Sequence, residues 1–581
     1  MKIFHGKTSD SRILLLRIAL IGAFLIIIMR LFYLQVLQHD HYVELANSEQ
    51  VKKLVIPAKR GKIYALDHKQ PVELVMNQEV YIVFADPTVV EKPQEIERVM
   101  REIAGGNLVE GDLQAMLTEK ATQYNIIARD VSLRQAEMIK EKRLKGVGFQ
   151  KVSKRVYPEG SLAAQTLGFV NREGMGQYGV ESALNKRLVG NDGMLKSVTD
   201  VANVPLSIGN ENIHEAPVNG DDIVLTIDRN IQSKTEEALA TGMQKSGATH
   251  GSVMVMDPTN GHVLAMANLP TYNPAEFTNV TDASAFVNTT VSMPYEPGSV
   301  IKTLTVAAGI DRGVIEPSST FYNTDKIQVQ DRTITNALKG ITGNITMQSA
   351  LNNSLNTGMV TIAQRLGDGN QITKGARDTI YSYFHDKFGL GSPTGIELAG
   401  EASGTVISPD DQQGNAVRYS NMVFGQGLDV TMVQVCAAFG SIINGGTYHS
   451  PTVIAGTYND GILKYEDHSQ NKPNVISAEA SSKAREMIHT ARVSYTDADT
   501  PGFYIGGKTG TSQTIENGEY VNNQTIGTYL GFGGDDNSSK YVIMVQVSGK
   551  NMNLEGNKHA MPIFNDISNW MLTYLQIQPR K

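Results

Sequence analysis

Three short stretches carry side chains that could act together chemically. The first is YEPGSVIK, Tyr295 to Lys302. Pro297 and Gly298 break the preceding segment, and the apolar run SVIKTLTVAAGI follows, so Ser299 is expected at or near a helix N-terminus. Lys302 lies three residues on, which puts the two side chains on one helix face, a turn apart. A serine hydroxyl is a poor nucleophile at neutral pH and needs a neighbouring base. A lysine can be that base only after losing its proton, which burial or a second nearby cation favours. The second stretch is Ser354-Leu355-Asn356, inside a helical pattern. The third is Lys508-Thr509-Gly510-Thr511, after the turn-like Gly506-Gly507. S-x-x-K alone is weak: a helix-start serine with a solvated lysine fits it, and Ser469 to Lys472 matches it too. That second match is polar throughout and runs into Pro473, which disfavours a helix. Order and co-occurrence raise the signal, because K-T-G occurs once and the three motifs follow one another.

The elements that must hold these residues can be read around them. A chain of 581 residues implies several domains, at ~100–200 residues each. With 41% hydrophobic and 19% charged residues it has ample core. The net charge of -7 and the lack of a long basic run exclude nucleic acid as a partner. The single cysteine, Cys436, excludes an intrachain disulfide. Ile13 to Leu37 is strongly apolar, with Arg17 and Arg30 near its ends. Lys2, Lys7, Arg12 and Arg17 outweigh Asp10, so this end is expected in the cytoplasm and the rest outside. No small-residue cleavage site follows, so an uncleaved, single-pass anchor is expected. Further on, Val51 to Met76 reads as short strands around a basic turn, and Glu91 to Gly106 and Leu108 to Tyr124 as amphipathic helices. Ala216 to Asp222 reads as a linker, with a strand and then a helix after it. Ser252 to Asp257 and His262 to Ala267 form a hairpin about Pro258 to Gly261. Thr346 to Leu366 reads as one helix with Gly367 beyond it, and Thr431 to Ile443 as another. Strands at Thr528 to Phe532 and Tyr541 to Val547 precede a helix from Ile563 to Leu575. The class is α+β: an antiparallel sheet flanked by helices, plus a helical insertion.

The ordered set S-x-x-K, S-x-N, K-T-G is the signature of β-lactamases and penicillin-binding proteins. Over nearly its full length the chain resembles a class B penicillin-binding protein, a monofunctional peptidoglycan DD-transpeptidase. RGKIY, RVYPEGSLAAQTLGFV and GMGQYGVESALN are similar to that family's elongated, non-catalytic pedestal. GDDIVLTIDRNIQ, DPTNGHVLAMANLPTYNP, YEPGSVIK, SLNTG, GLGSPTGIEL, FGQG and GGKTGTS follow in family order. The expected domains are residues 1–40 as cytoplasmic tail and anchor, 41–215 as a pedestal of the dimerisation type, and 216–581 as the transpeptidase. One departure is local. After RGKIY the family continues with Asp-Arg and a glycine, where this chain has Ala65-Leu66-Asp67-His68.

The resemblance implies that Ser299 attacks the carbonyl between the two terminal D-alanines of a stem peptide and Lys302 takes its proton. Ser354 would relay a proton to the leaving group, helped by Asn356 and Lys508. Backbone N–H groups of Ser299 and Thr511 would form the oxyanion hole. Thr509, Gly510 and Thr511 would line the substrate site, the two hydroxyls holding its carboxylate. No metal and no other cofactor is implied. β-Lactams would acylate the same serine, and a glycan polymerase of the shape, elongation, division and sporulation (SEDS) family would be a partner, with other division or elongation proteins. SNMVFGQGLDVTMVQ resembles the division-specific branch more than the elongation-specific one, and no β-lactam-sensor-like module follows before Lys581. A β-lactamase would need a deacylating carboxylate, often in E-x-x-L-N between the second and third motifs. The match at Glu181 to Asn185 lies upstream of Ser299 and reads as chance. A DD-carboxypeptidase seldom carries this pedestal, a bifunctional class A protein would need a glycosyltransferase domain, and a non-catalytic scaffold would have no reason to keep Ser299, Lys302 and Lys508.

Overall fold

The computed structural model describes residues 9–42, 51–198, 214–467, 470–516 and 519–579. Lys2 and Lys7 of the tail and Ser469 of the second S-x-x-K match lie outside the described residues. The chain divides into two compact units, residues 1–59 with 189–220, and residues 60–188 with 221–581.

The first unit holds the helix Ser9–Phe32, continued by a wide turn at Tyr33–Leu37. Its 24 residues rise about 36 Å at ~1.5 Å each, enough for a hydrocarbon layer of about 30 Å. Among the described residues it is the one helix long and apolar enough to cross a membrane. Val51–Ile56 and Gly193–Val198 pair antiparallel in the same unit, with His214–Glu215 beside them.

In the second unit a seven-stranded mixed sheet joins early and late parts of the chain. Ile63–Asp67 runs parallel to Ile223–Asp228, which pairs antiparallel with Ile454–Asn459. Gln70–Ala85 pairs antiparallel with Ile63–Asp67 through its first half, and its second half is flanked by Asn125–Val131 on one edge and Val147–Val156 on the other. Beside it, Glu181 is fully buried and holds two guanidinium groups: Arg60 Nε donates to Oε2 at 2.8 Å, and Arg155 Nε to Oε1 at 2.8 Å. Arg60 Nη1 reaches Asn185 Oδ1 at 2.9 Å, and Arg155 Nη1 reaches Asn77 Oδ1 at 2.8 Å. The E-x-x-L-N match is therefore structural, with both carboxylate oxygens engaged. The departure after RGKIY also has a place. Tyr574 Oη donates to Asp228 Oδ1 at 3.0 Å, and the His68 ring packs on Tyr574 with centroids 4.6 Å apart.

A second sheet, of five antiparallel strands, runs in the order Val263–Leu269, His250–Met256, Ser539–Ser548, Glu519–Gly534, Tyr504–Glu516. Both faces are apolar. Ile543, Val545 and Val547 pack with residues of the helices Arg229–Ser246 and Met561–Tyr574, while Val542 and Met544 join the cluster around the helix Lys302–Asp311. That helix is buried from Lys302 to Ile310, so its sequence is apolar on all sides rather than along one stripe.

Several expectations hold. The hairpin at Pro258 to Gly261 forms, and Thr431 caps the helix Met432–Ile443 in a capping box with Gln434. Three need correction. Leu108 to Tyr124 is helical only over Leu113–Thr118, because the Asp112 side chain caps the backbone at Gln114 and Ala115 and starts the helix there. Gly506-Gly507 lies inside a strand, where any Cβ would strike the Phe532 and Tyr529 rings. Thr346 to Leu366 is two helices, Met347–Asn352 and Asn356–Arg365, interrupted at Ser354.

Glu181 gives a stability prediction. Replacing it by alanine strands two buried guanidinium groups and should cost about 3–5 kcal/mol, read as a fall in the urea midpoint. An unchanged midpoint would remove the cluster from the forces holding this region together.

Candidate active site

The nucleophile candidate sits on a tight turn. Gly298–Ile301 is a 3-10 turn that feeds directly into the helix Lys302–Asp311, so Ser299 stands just ahead of the helix and Lys302 is its first residue. Gly298 has φ +66, and a Cβ there would stand 3.0 Å from the carbonyl oxygen of Thr511 and 3.3 Å from its nitrogen. Only glycine allows both the left-handed backbone and this close approach. The Gly298 N–H donates to the carbonyl of Gly425 at 3.0 Å. Gly425, in the F-G-Q-G stretch, itself has φ +92, and a Cβ on it would run into the Gly298 carbonyl. The turn is thus pressed between the F-G-Q-G loop and the strand Tyr504–Glu516.

Lys302 is 1% exposed. Its Nζ donates to the carbonyl oxygen of Ser354 at 2.5 Å and to Ser354 Oγ at 3.1 Å. Burial, and then the repulsion of Lys508, hold this amine well below the usual lysine range. Lys508 is 2% exposed, and burial lowers it to about 7. Its Nζ donates to the carbonyl of Thr509 at 3.0 Å and to Thr509 Oγ1 at 3.3 Å.

The break at Ser354 explains how that residue meets Lys302. Leu355 N–H bonds to Ala350 O at 2.8 Å and Ser354 N–H to Leu351 O at 3.2 Å. These are the two bonds of a Schellman helix ending, in which the position Ser354 occupies is left-handed and usually glycine. Ser354 has φ +54. A non-glycine residue there costs roughly 1–2 kcal/mol, and this one is held by the Lys302 amine on both of its oxygens.

Strand alternation places Lys508 and Gly510 toward the Ser299 turn. A Cβ on Gly510 would lie 2.7 Å from the carbonyl oxygen of Pro297 and 3.2 Å from Val300 Cγ1. Thr509 is half-buried and Thr511 exposed, with Thr511 Oγ1 accepting the N–H of Gly556 at 3.3 Å. The strand lies at the edge of its sheet, so one row of its backbone groups stays open.

The structure therefore brings together Lys302, Ser354, Lys508, Gly510, Thr511 and the Ser299 turn. It does not join Ser299 Oγ or Asn356 to the lysine cluster: among the described residues Ser299 Oγ makes no hydrogen bond, and Asn356 Nδ2 donates to the carbonyl of Thr335 at 2.9 Å. Lys472 of the second S-x-x-K match donates to the carbonyl of Asp386 at 3.1 Å, on an unrelated part of the surface. Gly425 and Gly556 were not singled out by sequence, although F-G-Q-G carried a signal in its two glycines. The arrangement suits nucleophilic attack by Ser299 with an unprotonated amine nearby, and two backbone N–H groups, of Ser299 and Thr511, flank the turn.

Comparison with known proteins is consistent with this geometry. Residues 251–569 match the family model described as "Penicillin binding protein transpeptidase domain", and residues 55–225 the family model "Penicillin-binding Protein dimerisation domain". Stage V sporulation protein D of Bacillus subtilis is 30% identical, over 99% of this chain and 87% of that protein. The probable peptidoglycan D,D-transpeptidase PenA of Neisseria gonorrhoeae is 26% identical, over 99% and 94%. The crystal structure of penicillin binding protein 3 of Mycobacterium tuberculosis complexed with aztreonam superposes with a TM-score of 0.67 at 25% identity, over 91% of this chain and 98% of that one.

The two lysines should titrate separately. With lysines isotopically labelled at Cε, resonance spectra should show Lys508 losing its proton near pH 7 and Lys302 losing its own well below the usual lysine range. A lysine neutral when folded and charged when unfolded binds fewer protons in the folded state, so this pair should make stability rise with pH from about 7 toward ~10.4, the unperturbed lysine value. Lys508→Met should move the Lys302 titration upward by removing the repelling charge. Titration of both groups above pH 10 would contradict the burial.

Proposed function

The chain belongs to the penicillin-binding protein transpeptidase family, and on that premise we propose that it is a class B peptidoglycan D,D-transpeptidase acting through a serine acyl-enzyme on Ser299. The observation that carries this reading is Lys302, a buried amine depressed well below the usual lysine range, one turn from the serine and bonded to Ser354.

In the first half-reaction Lys302, unprotonated, takes the proton of Ser299 as its oxygen attacks the carbonyl between the terminal D-alanines of a donor stem peptide. The N–H groups of Ser299 and Thr511 carry the developing oxyanion, a contribution of several kcal/mol in acyl transfer. The Ser354 hydroxyl, within hydrogen-bond distance of Lys302, passes the proton to the departing D-alanine amine. In the second half-reaction the amine of an acceptor stem peptide attacks the ester, and the proton returns to Ser299 by the same route. Lys508, at about 7, retains partial charge at neutral pH and draws in the donor's terminal carboxylate, which the hydroxyls of Thr509 and Thr511 bind. The open edge of the strand Tyr504–Glu516 can pair with an extended peptide. Asn356, two residues from Ser354 and donating its amide to the Thr335 carbonyl, is assigned the part of helping the Ser354 relay.

The pedestal and transpeptidase regions are assigned to 41–215 and 216–581, with the apolar N-terminal helix as a single-pass anchor whose N-terminus is cytoplasmic. The charge balance of Met1 to Arg17 supports that orientation. Septal synthesis is the favoured setting, supported by the resemblance of SNMVFGQGLDVTMVQ to the division-specific branch. Because cross-linking needs glycan strands made nearby, a SEDS-family polymerase is the proposed partner, contacting anchor and pedestal.

Two experiments test this. Ser299→Ala should abolish covalent labelling by a fluorescent penicillin while the protein stays folded, and Lys302→Met or Lys302→Arg should slow labelling by ~10²-fold or more, since guanidinium stays protonated. Labelling of the alanine variant, or rapid labelling of the Lys302→Arg variant, would remove these roles. Deleting Met1 to Asp40 should leave labelling intact in solution but end stimulation of the polymerase in a bilayer. Full stimulation by the truncated chain would take the anchor out of the partnership.

A further inference from the structure

Ser299 and Thr511 belong to different elements, yet an oxyanion can bridge their N–H groups only at a fixed separation. The Gly298–Gly425 hydrogen bond ties the nucleophile turn to the F-G-Q-G loop. A second tie begins at Glu296, three residues before Ser299, and the acyl-transfer steps leave it unused. Glu296 is 5% exposed. Its Oε1 accepts the N–H of Gly427 at 2.6 Å, and Tyr520 Oη donates to the carboxylate, 3.2 Å from each oxygen. The Gly427 carbonyl in turn accepts from Arg418 Nη1 at 3.2 Å. Tyr520 starts the return strand Glu519–Gly534 and stands opposite Ile515, just past Thr511 on the strand Tyr504–Glu516. One carboxylate therefore touches the glycine loop beside the nucleophile and the hairpin that extends the Lys508 strand.

The balance of forces at Glu296 fits a fastening point. Burial raises its carboxyl above the ordinary range and Asp429 adds to this, while the Gly427 N–H, the Tyr520 hydroxyl and Arg418 favour the carboxylate. Tyr520 is 47% exposed, so its ring is only partly packed and its hydroxyl reaches the Glu296 carboxylate from the surface. The neighbouring hairpin strands cannot set the distance by themselves, since Tyr504–Glu516 has no sheet partner on its outer edge.

We propose that Glu296 is a positioning residue for acyl transfer: through Tyr520, which pairs with Ile515, it latches the two strands to the nucleophile turn and so fixes the separation of the Ser299 and Thr511 N–H groups. The proposal rests on the assignment of Ser299 as nucleophile. Because the latch acts on the transition state rather than on ground-state binding, losing it should lower the acylation rate constant and leave the dissociation constant of the non-covalent complex unchanged.

Stopped-flow acylation of the full-length chain in detergent by a fluorescent penicillin separates those two constants. Tyr520→Phe, which removes one oxygen and keeps the ring, should acylate about tenfold more slowly with an unchanged melting temperature, the size expected for one hydrogen bond to a charged group. Glu296→Ala should be slower still, because the glycine loop is released as well. Glu296→Gln should recover most of the rate, since its amide oxygen can accept from both Gly427 and Tyr520. In the Glu296→Ala background, adding Tyr520→Phe should have no further effect. Tyr520→Phe acylating at the unmodified rate, Glu296→Gln as slow as Glu296→Ala, or losses that multiply in the double variant would each overturn the latch. Failure of the underlying assignment would look different: penicillin would still label Ser299→Ala.

Discussion

The constraint on which this site depends is the burial of an amine with no counter-charge. Among the described residues neither Lys302 nor Lys508 pairs with a carboxylate, and both are nearly inaccessible to water. A buried, unpaired ammonium carries a penalty of several kcal/mol, which loss of the proton relieves. The surrounding structure accepts that outcome rather than opposing it. The partners offered to Lys302, the carbonyl and hydroxyl of Ser354, are neutral. Replacing either by a carboxylate would bring the proton back and end any basic role.

Holding a neutral amine in place needs rigid neighbours, and the chain supplies them by letting backbone approach backbone. Gly298, Gly425 and Gly510 stand where a Cβ would meet a carbonyl, and each such approach brings one element against another: turn to strand, loop to turn, strand to turn. Ser354 pays for its position differently, with a left-handed backbone at a helix ending that would ordinarily carry glycine. Glycine there would relax the strain but lose the hydroxyl. Strain kept at a residue whose side chain touches the buried amine is the pattern expected of a functional constraint rather than of a loop that simply ran out of helix.

How much of this was legible in the sequence follows from the same physics. The grouping of Lys302, Ser354 and Lys508 was readable because the three motifs occur in one order at particular spacings, and the structure brings these three side chains into one buried cluster. The capped helix Met432–Ile443 and the hairpin about Pro258 were readable because their signals are local. The break at Ser354 was not, since apolar residues continue at helical spacing from Leu351 through Leu355 to Met359 and periodicity cannot register one left-handed residue between them. Gly506-Gly507 looked like a turn because two glycines usually mark one. Here they make room for Tyr529 and Phe532, which lie on the neighbouring strand. Asn356 was grouped with the lysines by motif, but its amide donates to the Thr335 carbonyl instead. Glu296 stood in plain view inside the first motif. Its meaning depends on Tyr520, 224 residues later, and no local pattern announces such a pairing.

The two lysines also explain why one site can hold both a base and a cation. Burial lowers both amines, and the repulsion of Lys508 adds to the lowering of Lys302. The pair thus sets a depressed amine at the first residue of the helix that follows the Ser299 turn, and one lowered to about 7 on the strand Tyr504–Glu516. When groups interact this closely the protons belong to the pair, and the environment of each decides which gives way. A carboxylate arriving beside Lys508 would hold its proton more firmly. The field of that stabilised ammonium would hold Lys302 lower still, as the repulsion of Lys508 already does. The charge state of one buried lysine would in that way depend on what the other meets.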